Sequence, residues 1–273
     1  MPELPEVETV RIALNEHLLK CKISKARINV KNLRFPVPNR LEKILNGKVF
    51  EEINRRGKYL LINFKQDLTL LVHLGMTGVF KIKHSYNPEK HDHIVIELKD
   101  KFLVYNDVRR FGFFKIYKKN LVMKSPYIKK LGLEPLEVGF DELTLIKKMM
   151  NKTQNIKHFL MDQKNIAGLG NIYCSEILFD SKISPLRLVN NIKNNEIKKL
   201  VKSTKKILIK AIKLGGTSLK DYKSPSGKLG YFKNELKVYG MENKDCFFCK
   251  KRSKIKKVVQ QGRSTFFCKS CQK

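Results

Sequence analysis

Between residues 6 and 18 apolar side chains recur at Val7, Val10, Leu14 and Leu18, a spacing of three and four that predicts an amphipathic helix. From about residue 48 to 117 the pattern changes. Segments 59–64, 68–73, 79–82, 94–98, 102–105 and 113–117 are short and rich in β-branched or aromatic residues, with polar or glycine-containing breaks between them. Short strands at such intervals predict a sandwich or barrel, not alternating β-α units. Gly132, Pro135 and Gly139 then mark a boundary. Beyond it, Leu143, Ile146 and Met150, then Ile156, Leu160 and Met161, then Ile172, Ile177 and Leu178 fall on helical stripes. The longest stripe runs through Ile197, Leu200, Val201, Leu208, Ala211 and Ile212, and Gly215-Gly216 stops it. Residues 217–231 are polar, contain Ser224-Pro225-Ser226-Gly227, and read as a loop.

Charge changes this picture most. The 273 residues carry 57 Lys and Arg against 25 Asp and Glu, a formal net charge of +32. That balance points to a polyanionic partner, nucleic acid before an acidic membrane surface. The apolar runs, typified by 68–72, stay far below the roughly 18 residues of a membrane-spanning helix. The acidic, proline-rich start from Met1 to Glu8 is the reverse of a signal peptide. A cytoplasmic protein facing nucleic acid is the expectation.

Four of the six cysteines form two Cys-x-x-Cys pairs, Cys246/Cys249 and Cys268/Cys271, at the spacing of a two-knuckle zinc site. Four thiolates leave a metal no open position, so one structural zinc ion is expected, with no role in chemistry. Residues 240–273 hold ten Lys and Arg against two acids, about twice the charge density of the chain. Cys21 and Cys174 read as small buried hydrophobes.

Met1 precedes the small residue Pro2, and its removal would expose a prolyl amine. A secondary amine can attack a sugar carbon and form an iminium, and Glu3 beside it can supply the proton. Gly168-x-Gly170-Asn171 before a helical stripe is a candidate phosphate cradle.

The segment Pro2-Glu3-Leu4-Pro5-Glu6-Val7-Glu8-Thr9 resembles the opening of the formamidopyrimidine-DNA glycosylases, bacterial enzymes that excise oxidised purines. The resemblance spans the chain. It continues through Arg55-Arg56-Gly57-Lys58-Tyr59-Leu60, His73-Leu74-Gly75-Met76-Thr77-Gly78, His91-Asp92-His93 and Asp107-Val108-Arg109-Arg110-Phe111-Gly112. It ends in Gly168-Leu169-Gly170-Asn171-Ile172-Tyr173, Tyr231-Phe232 with Val238-Tyr239-Gly240, and Gln261-Gly262-Arg263-Ser264-Thr265-Phe266-Phe267-Cys268.

That resemblance implies an α+β multidomain fold. An N-terminal catalytic β-sandwich domain flanked by helices would cover 1–130, and a helix–two-turn–helix domain 131–239, with a lesion-recognition loop at 217–231. A zinc finger would cover 240–273. It implies that Pro2 attacks the anomeric carbon, Glu3 acts as acid on the sugar, and Lys58 donates a proton in the lyase steps. Arg263 would contact phosphate and assist the second elimination. Met76, Arg109 and Phe111 match the trio that fills the gap left by an extruded base. The register of the motif gives that task to Arg109, not the adjacent Arg110. Lys157, Asn171 and His91 match contacts to the bound DNA. A further contact falls on Thr153, beside Lys152, where this chain departs from the pattern. His93 and His158 read as structural or exposed.

The expected activity is a bifunctional glycosylase and abasic-site lyase of base-excision repair. It would act as a monomer, with no membrane, on double-stranded DNA containing 8-oxoguanine, formamidopyrimidines or abasic sites. The expected setting is the bacterial cytoplasm and nucleoid. The rivals are an endonuclease VIII-type enzyme for oxidised pyrimidines, and a zinc-ribbon nucleic-acid-binding protein without chemistry. Leu4 and the 109–111 segment favour the purine enzyme over the first, and Pro2, Glu3 and Lys58 argue against the second.

Overall fold

The computed structural model describes residues 2–217 and 230–273, and only the backbone of 250–252. The loop expected at 217–231 therefore lies, from 218 to 229, outside the described residues. The chain divides into two compact units, one of Met1–Lys129 with Leu214–Lys233, the other of Lys130–Lys213 with Asn234–Lys273.

The first unit opens with helix α1 (Leu4–Leu18), which begins two residues before the expected 6–18 stripe, with proline in the first turn and Glu6 three residues after Glu3 as a capping pair. Strand β1 (Lys25–Ile28) and helix α2 (Leu41–Leu45) follow, then β2 (Phe50–Arg56), β3 (Tyr59–Phe64), β4 (Leu68–His73) and β5 (Val79–Lys83). The unit's remaining strands are β6 (Asp92–Glu97), β7 (Phe102–Asn106) and β8 (Phe113–Lys118). They form two antiparallel four-stranded sheets, ordered β2-β3-β4-β8 and β1-β6-β7-β5. Alternate residues of both sheets, among them Ile53, Leu60, Ile62, Leu70, Val72, Ile94, Ile96, Leu103 and Phe114, meet in one apolar core with Val10, Leu14 and Leu18 of α1. This is the expected sandwich. The polar-looking β2, with Glu51 and Glu52 in sequence, was not legible as a strand.

Two side chains strap α1 along β2. Asn15 exchanges hydrogen bonds with the backbone of Ile53, at 2.7 and 3.0 Å, and Glu8 receives Arg55 Nε at 2.8 Å. The later helix residue meets the earlier strand residue, so helix and strand run in opposite directions. Stepping from Glu8 back to Glu3 advances ~7 Å along the helix, and one residue past Arg55 the strand ends at Arg56, where Gly57-Lys58 turns the chain into β3. The start of the chain and the β2–β3 turn thus reach the same end of the sheet.

The second unit holds α3 (Glu142–Met149), capped by Asp141 accepting from Thr144 N–H at 2.8 Å, then α4 (Ile156–Met161), α5 (Asn171–Asp180) and α6 (Asn194–Lys213). Between α4 and α5, Gln163 bonds the carbonyls of Met161 and Leu169 and accepts from Gly168 N–H, fixing the two turns that join the helices. α5 is buried from Ile172 to Phe179 and forms the unit's axis. Strands β9 (Asp245–Cys246), β10 (Lys250–Lys254), β11 (Lys256–Gln260) and β12 (Arg263–Phe267) build the cysteine-bearing segment. Among the described residues no helix is long and apolar enough to cross a membrane. Cys174 is buried as expected, whereas Cys21 is half-buried, its thiol 3.6 Å from the His17 carbonyl.

Candidate functional site

In the sheet unit, register alone gathers most of the expected residues at one rim. Tyr59 pairs with His73 and His73 with Phe113, so the Gly57-Lys58 turn, the 74–78 loop and the 107–112 loop leave the same end of one sheet. In the other sheet Asn106 pairs with both Val79 and Asp92, which brings His91 to that end as well. Pro2 and Glu3 arrive there through α1. Pro2, Glu3 and Lys58 are all buried.

Glu6, to which sequence reasoning gave no role, fixes the rim's start. Its Oε2 accepts the Glu3 N–H at 2.9 Å, and its Oε1 accepts both the N–H and the hydroxyl of Thr217, at 2.8 and 2.9 Å. A Cβ on neighbouring Gly216 would lie 2.8 Å from that carboxylate, and the residue's φ of +79° also favours glycine. The capping spacing from Glu3 to Glu6 was the available signal.

His73 is the second addition. Burial first, then the charges of Lys58 and Arg34, push its pKa down to about 4. The ring is therefore neutral at pH 7, consistent with Nδ1 accepting the Gly75 N–H at 3.1 Å. Its face stacks on Phe113 at 5.5 Å between centroids. The turn it steadies carries Met76, 39% exposed, and opposite stands Phe111, 42% exposed, with the Arg109 guanidinium 4.6 Å above the Phe111 ring. An open cavity of about 680 Å³ lies between them, lined by Leu33, Arg34, His73, Met76, Arg109, Arg110 and Phe111 among others. Two apolar wedges and a guanidinium around an open space suit insertion between bases.

The helical unit brings two of the expected cations to one cavity. Lys157 and Arg263 line one cavity of about 290 Å³ with Asn155, His158, Gln260 and Gln261. Arg263 is exposed after the Gln261-Gly262 turn, both residues of which have positive φ. Lys157 is buried, and its ammonium donates to the Ser264 carbonyl at 3.1 Å and to Thr265 Oγ1 at 2.6 Å. Asn171, at the start of α5, donates to the same Ser264 carbonyl at 2.9 Å. Thr153 is exposed before α4 and is not among the residues lining the cavity. His158 bonds Gln261 at 2.9 Å, and buried His93 contacts the Asp107 carbonyl at 2.8 Å.

The four cysteine sulfurs lie within 4.8 Å of one another. Zinc–thiolate bonds of about 2.3 Å in a tetrahedron require sulfurs roughly 3.8 Å apart. Cys246 to Cys271 at 3.8 Å and Cys249 to Cys268 at 3.7 Å meet that requirement, while Cys249 to Cys271 at 2.7 Å is tighter. The donor set and spacing fit one structural zinc ion, held by Cys246, Cys249, Cys268 and Cys271.

Comparison with known proteins shows one family along the chain. Residues 1–114 match the family model of the formamidopyrimidine-DNA glycosylase N-terminal domain, and residues 131–223 that of the formamidopyrimidine-DNA glycosylase H2TH domain. The chain is 44% identical to the formamidopyrimidine-DNA glycosylase of Zymomonas mobilis, over all of both sequences. A Lactococcus lactis Fpg mutant, crystallised with DNA containing Fapy-dG, is 38% identical with a TM-score of 0.92, covering all of both chains. Lactococcus lactis Fpg in complex with DNA containing an abasic site gives the same identity and TM-score, covering 99% of each chain.

Proposed function

The chain belongs to the formamidopyrimidine-DNA glycosylase family, and on that premise we propose how its two units divide the work of base-excision repair. The protein is a bifunctional glycosylase and abasic-site lyase that removes oxidised purines from duplex DNA and then cuts the strand. It works as a monomer at the bacterial nucleoid. The sheet-unit rim performs the chemistry, the segment 131–239 grips the backbone, and 240–273 carries Arg263 to it. The lesion-recognition role stays with 217–231.

Once Met1 is removed, the Pro2 amine attacks the anomeric carbon, and the C–N bond to the damaged base breaks. Glu3 protonates the sugar as its ring opens, which leaves an iminium on Pro2. The iminium acidifies the neighbouring carbon, so loss of that proton expels the 3′ phosphate and a second elimination expels the 5′ phosphate. Burial of Pro2, Glu3 and Lys58 keeps water from competing for the covalent intermediate. Lys58 transfers protons in these eliminations, and Arg263 assists the second by contact with phosphate. Met76 and Phe111 fill the space left by the extruded base, and Arg109 meets the acceptors of the orphaned cytosine. His91, Thr153, Lys157 and Asn171 contact the bound strand.

The observation that carries this reading is the convergence, at one sheet end, of the chain's start, the Lys58 turn and both wedge-bearing loops. Single-turnover cleavage of duplexes with 8-oxoguanine opposite cytosine, beside a duplex with an oxidised pyrimidine, tests it. The purine lesion is expected to be cut faster. Preferential cutting of the pyrimidine lesion would reassign the substrate.

A further inference from the structure

Asp107 is fully buried, and no step above uses it. Its carboxylate is where the two wedge-bearing loops are joined. Thr77 Oγ1 donates to Asp107 Oδ1 at 2.5 Å, and the same hydroxyl oxygen accepts the Arg109 N–H at 3.0 Å. Oδ2 accepts the Gly112 N–H at 2.8 Å and the Tyr105 hydroxyl at 3.2 Å. The Asp107 backbone is held as well. Its N–H donates to the His91 carbonyl at 3.2 Å, and its own carbonyl meets His93 Nε2 at 2.8 Å.

These bonds bracket the segment that carries Arg109 and Phe111, at its first amide and at the amide just beyond it. Through Thr77 they also hold the residue next to Met76. The loops have no room to slide. A Cβ on Gly75 would come within 2.3 Å of the Phe111 carbonyl carbon, and one on Gly112 within 1.8 Å of the Tyr105 hydroxyl.

We propose that Asp107, acting through Thr77, is the positioning group that sets Met76, Arg109 and Phe111 at one height for entry into the duplex. It thereby controls how the base opposite the lesion is read. The inference rests on the reading that these three side chains fill the gap. The geometry follows from charge. A buried carboxylate gathers donors, and here those donors are the loop amides themselves.

Thr77→Val keeps the shape of the side chain and deletes the hydroxyl, whereas Thr77→Ser keeps the hydroxyl. Single-turnover excision of 8-oxoguanine opposite cytosine and opposite adenine is measured for both, beside cleavage of a duplex with a preformed abasic site. Thr77→Val is expected to slow excision opposite cytosine about ten- to a hundredfold and to narrow the preference for cytosine, because a small misplacement of a reading group costs rates of that order. Cleavage at the preformed abasic site is expected to change less than about threefold, a step that needs no base extruded. Thr77→Ser is expected to restore both the rate and the preference. Should Thr77→Val fail to fold by circular dichroism, Asp107→Asn is measured in the same way with the same expectation. A folded variant with native excision rate and native preference overturns the positioning role. Arg109→Ala, measured alongside, faults the gap-filling reading if it leaves the preference unchanged, a failure separate from that of Asp107.

Discussion

The two units order their candidate sites with charges of opposite sign. In the sheet unit buried carboxylates do it. Glu6 gathers the amides of Glu3 and Thr217, and Asp107 gathers the Gly112 amide and, through Thr77, that of Arg109. In the helical unit a buried ammonium gathers oxygen atoms, Lys157 holding the Ser264 carbonyl and the Thr265 hydroxyl beside Arg263. That unit also has a carboxylate clamp, Glu176, which takes the amides of Lys237, Val238 and Tyr239 at the entrance to the cysteine segment. Burial raises the pKa of Glu176, and those amide bonds oppose the rise. The difference assigns consequences. The sheet unit's carboxylate clamps add nothing to phosphate attraction, so damage to them is expected to degrade lesion handling and to spare the general grip. The cationic clamp beside the Arg263 cavity is expected to serve both, so damage to it is expected to weaken binding to every duplex.

The largest expected effect breaks the helical unit outright. Chelation of the metal, or Cys249→Ser, is expected to unfold 240–273 and abolish binding to damaged and undamaged duplex alike, because metal affinity in such segments is folding energy. Circular dichroism and fluorescence anisotropy check this together. Full DNA affinity in a verified metal-free protein would refute it.

The next effect belongs to the sheet unit and concerns pH. The folded protein holds His73 at a pKa of about 4 against an ordinary 6.5. As pH falls below 6.5 the unfolded chain takes up a proton that the folded one refuses, so stability falls between pH 6.5 and 4. The loss is on the order of 3 kcal/mol. Urea unfolding across that range is expected to show His73→Gln losing less stability than the native protein. Parallel pH profiles would contradict the buried neutral ring.

Arg109→Ala sharpens the comparison within lesion handling. Excision opposite cytosine is expected to fall about tenfold, since a good bidentate base contact is worth roughly 1–3 kcal/mol, while affinity for undamaged duplex changes little. Single-turnover cleavage and anisotropy separate the two. Equal losses on both substrates would make Arg109 one more phosphate contact, and the same effect in Arg110→Ala would shift the register by one.

Lys157→Ala gives the smallest effect and the opposite pattern. The salt dependence of binding is expected to lessen by about one unit, with all duplexes weakened alike. An unchanged slope with displaced Arg263 chemistry would leave Lys157 only its hold on Ser264.

What was legible in the sequence follows from distance along the chain. The cysteine pairs carry their chemistry within a few residues, so spacing alone exposed them, whereas the Gly75-Met76-Thr77-Gly78 turn and the Arg109–Phe111 segment were legible only through the family resemblance. The clamps span far more of the chain. Glu6 and Thr217 are separated by 211 positions, and Lys157 and Thr265 by 108, and only folding shows that one serves the other. β2 was hidden because Phe50-Glu51-Glu52-Ile53-Asn54-Arg55-Arg56 buries only Phe50 and Ile53. β11 was hidden in a run of lysines that reads as solvated charge. His73 looked like the end of a strand, and its neutrality comes from burial and from Lys58 and Arg34.

The sheet-unit rim is proposed to form a covalent bond to the sugar through the amine of Pro2. Borohydride reduction during turnover of an 8-oxoguanine·cytosine duplex, followed by peptide mapping by mass spectrometry, tests it directly. A protein lacking Met1 and a single trapped adduct on residue 2 are expected. An adduct on Lys58, or strand cleavage with no trapped adduct at all, would contradict the proposal.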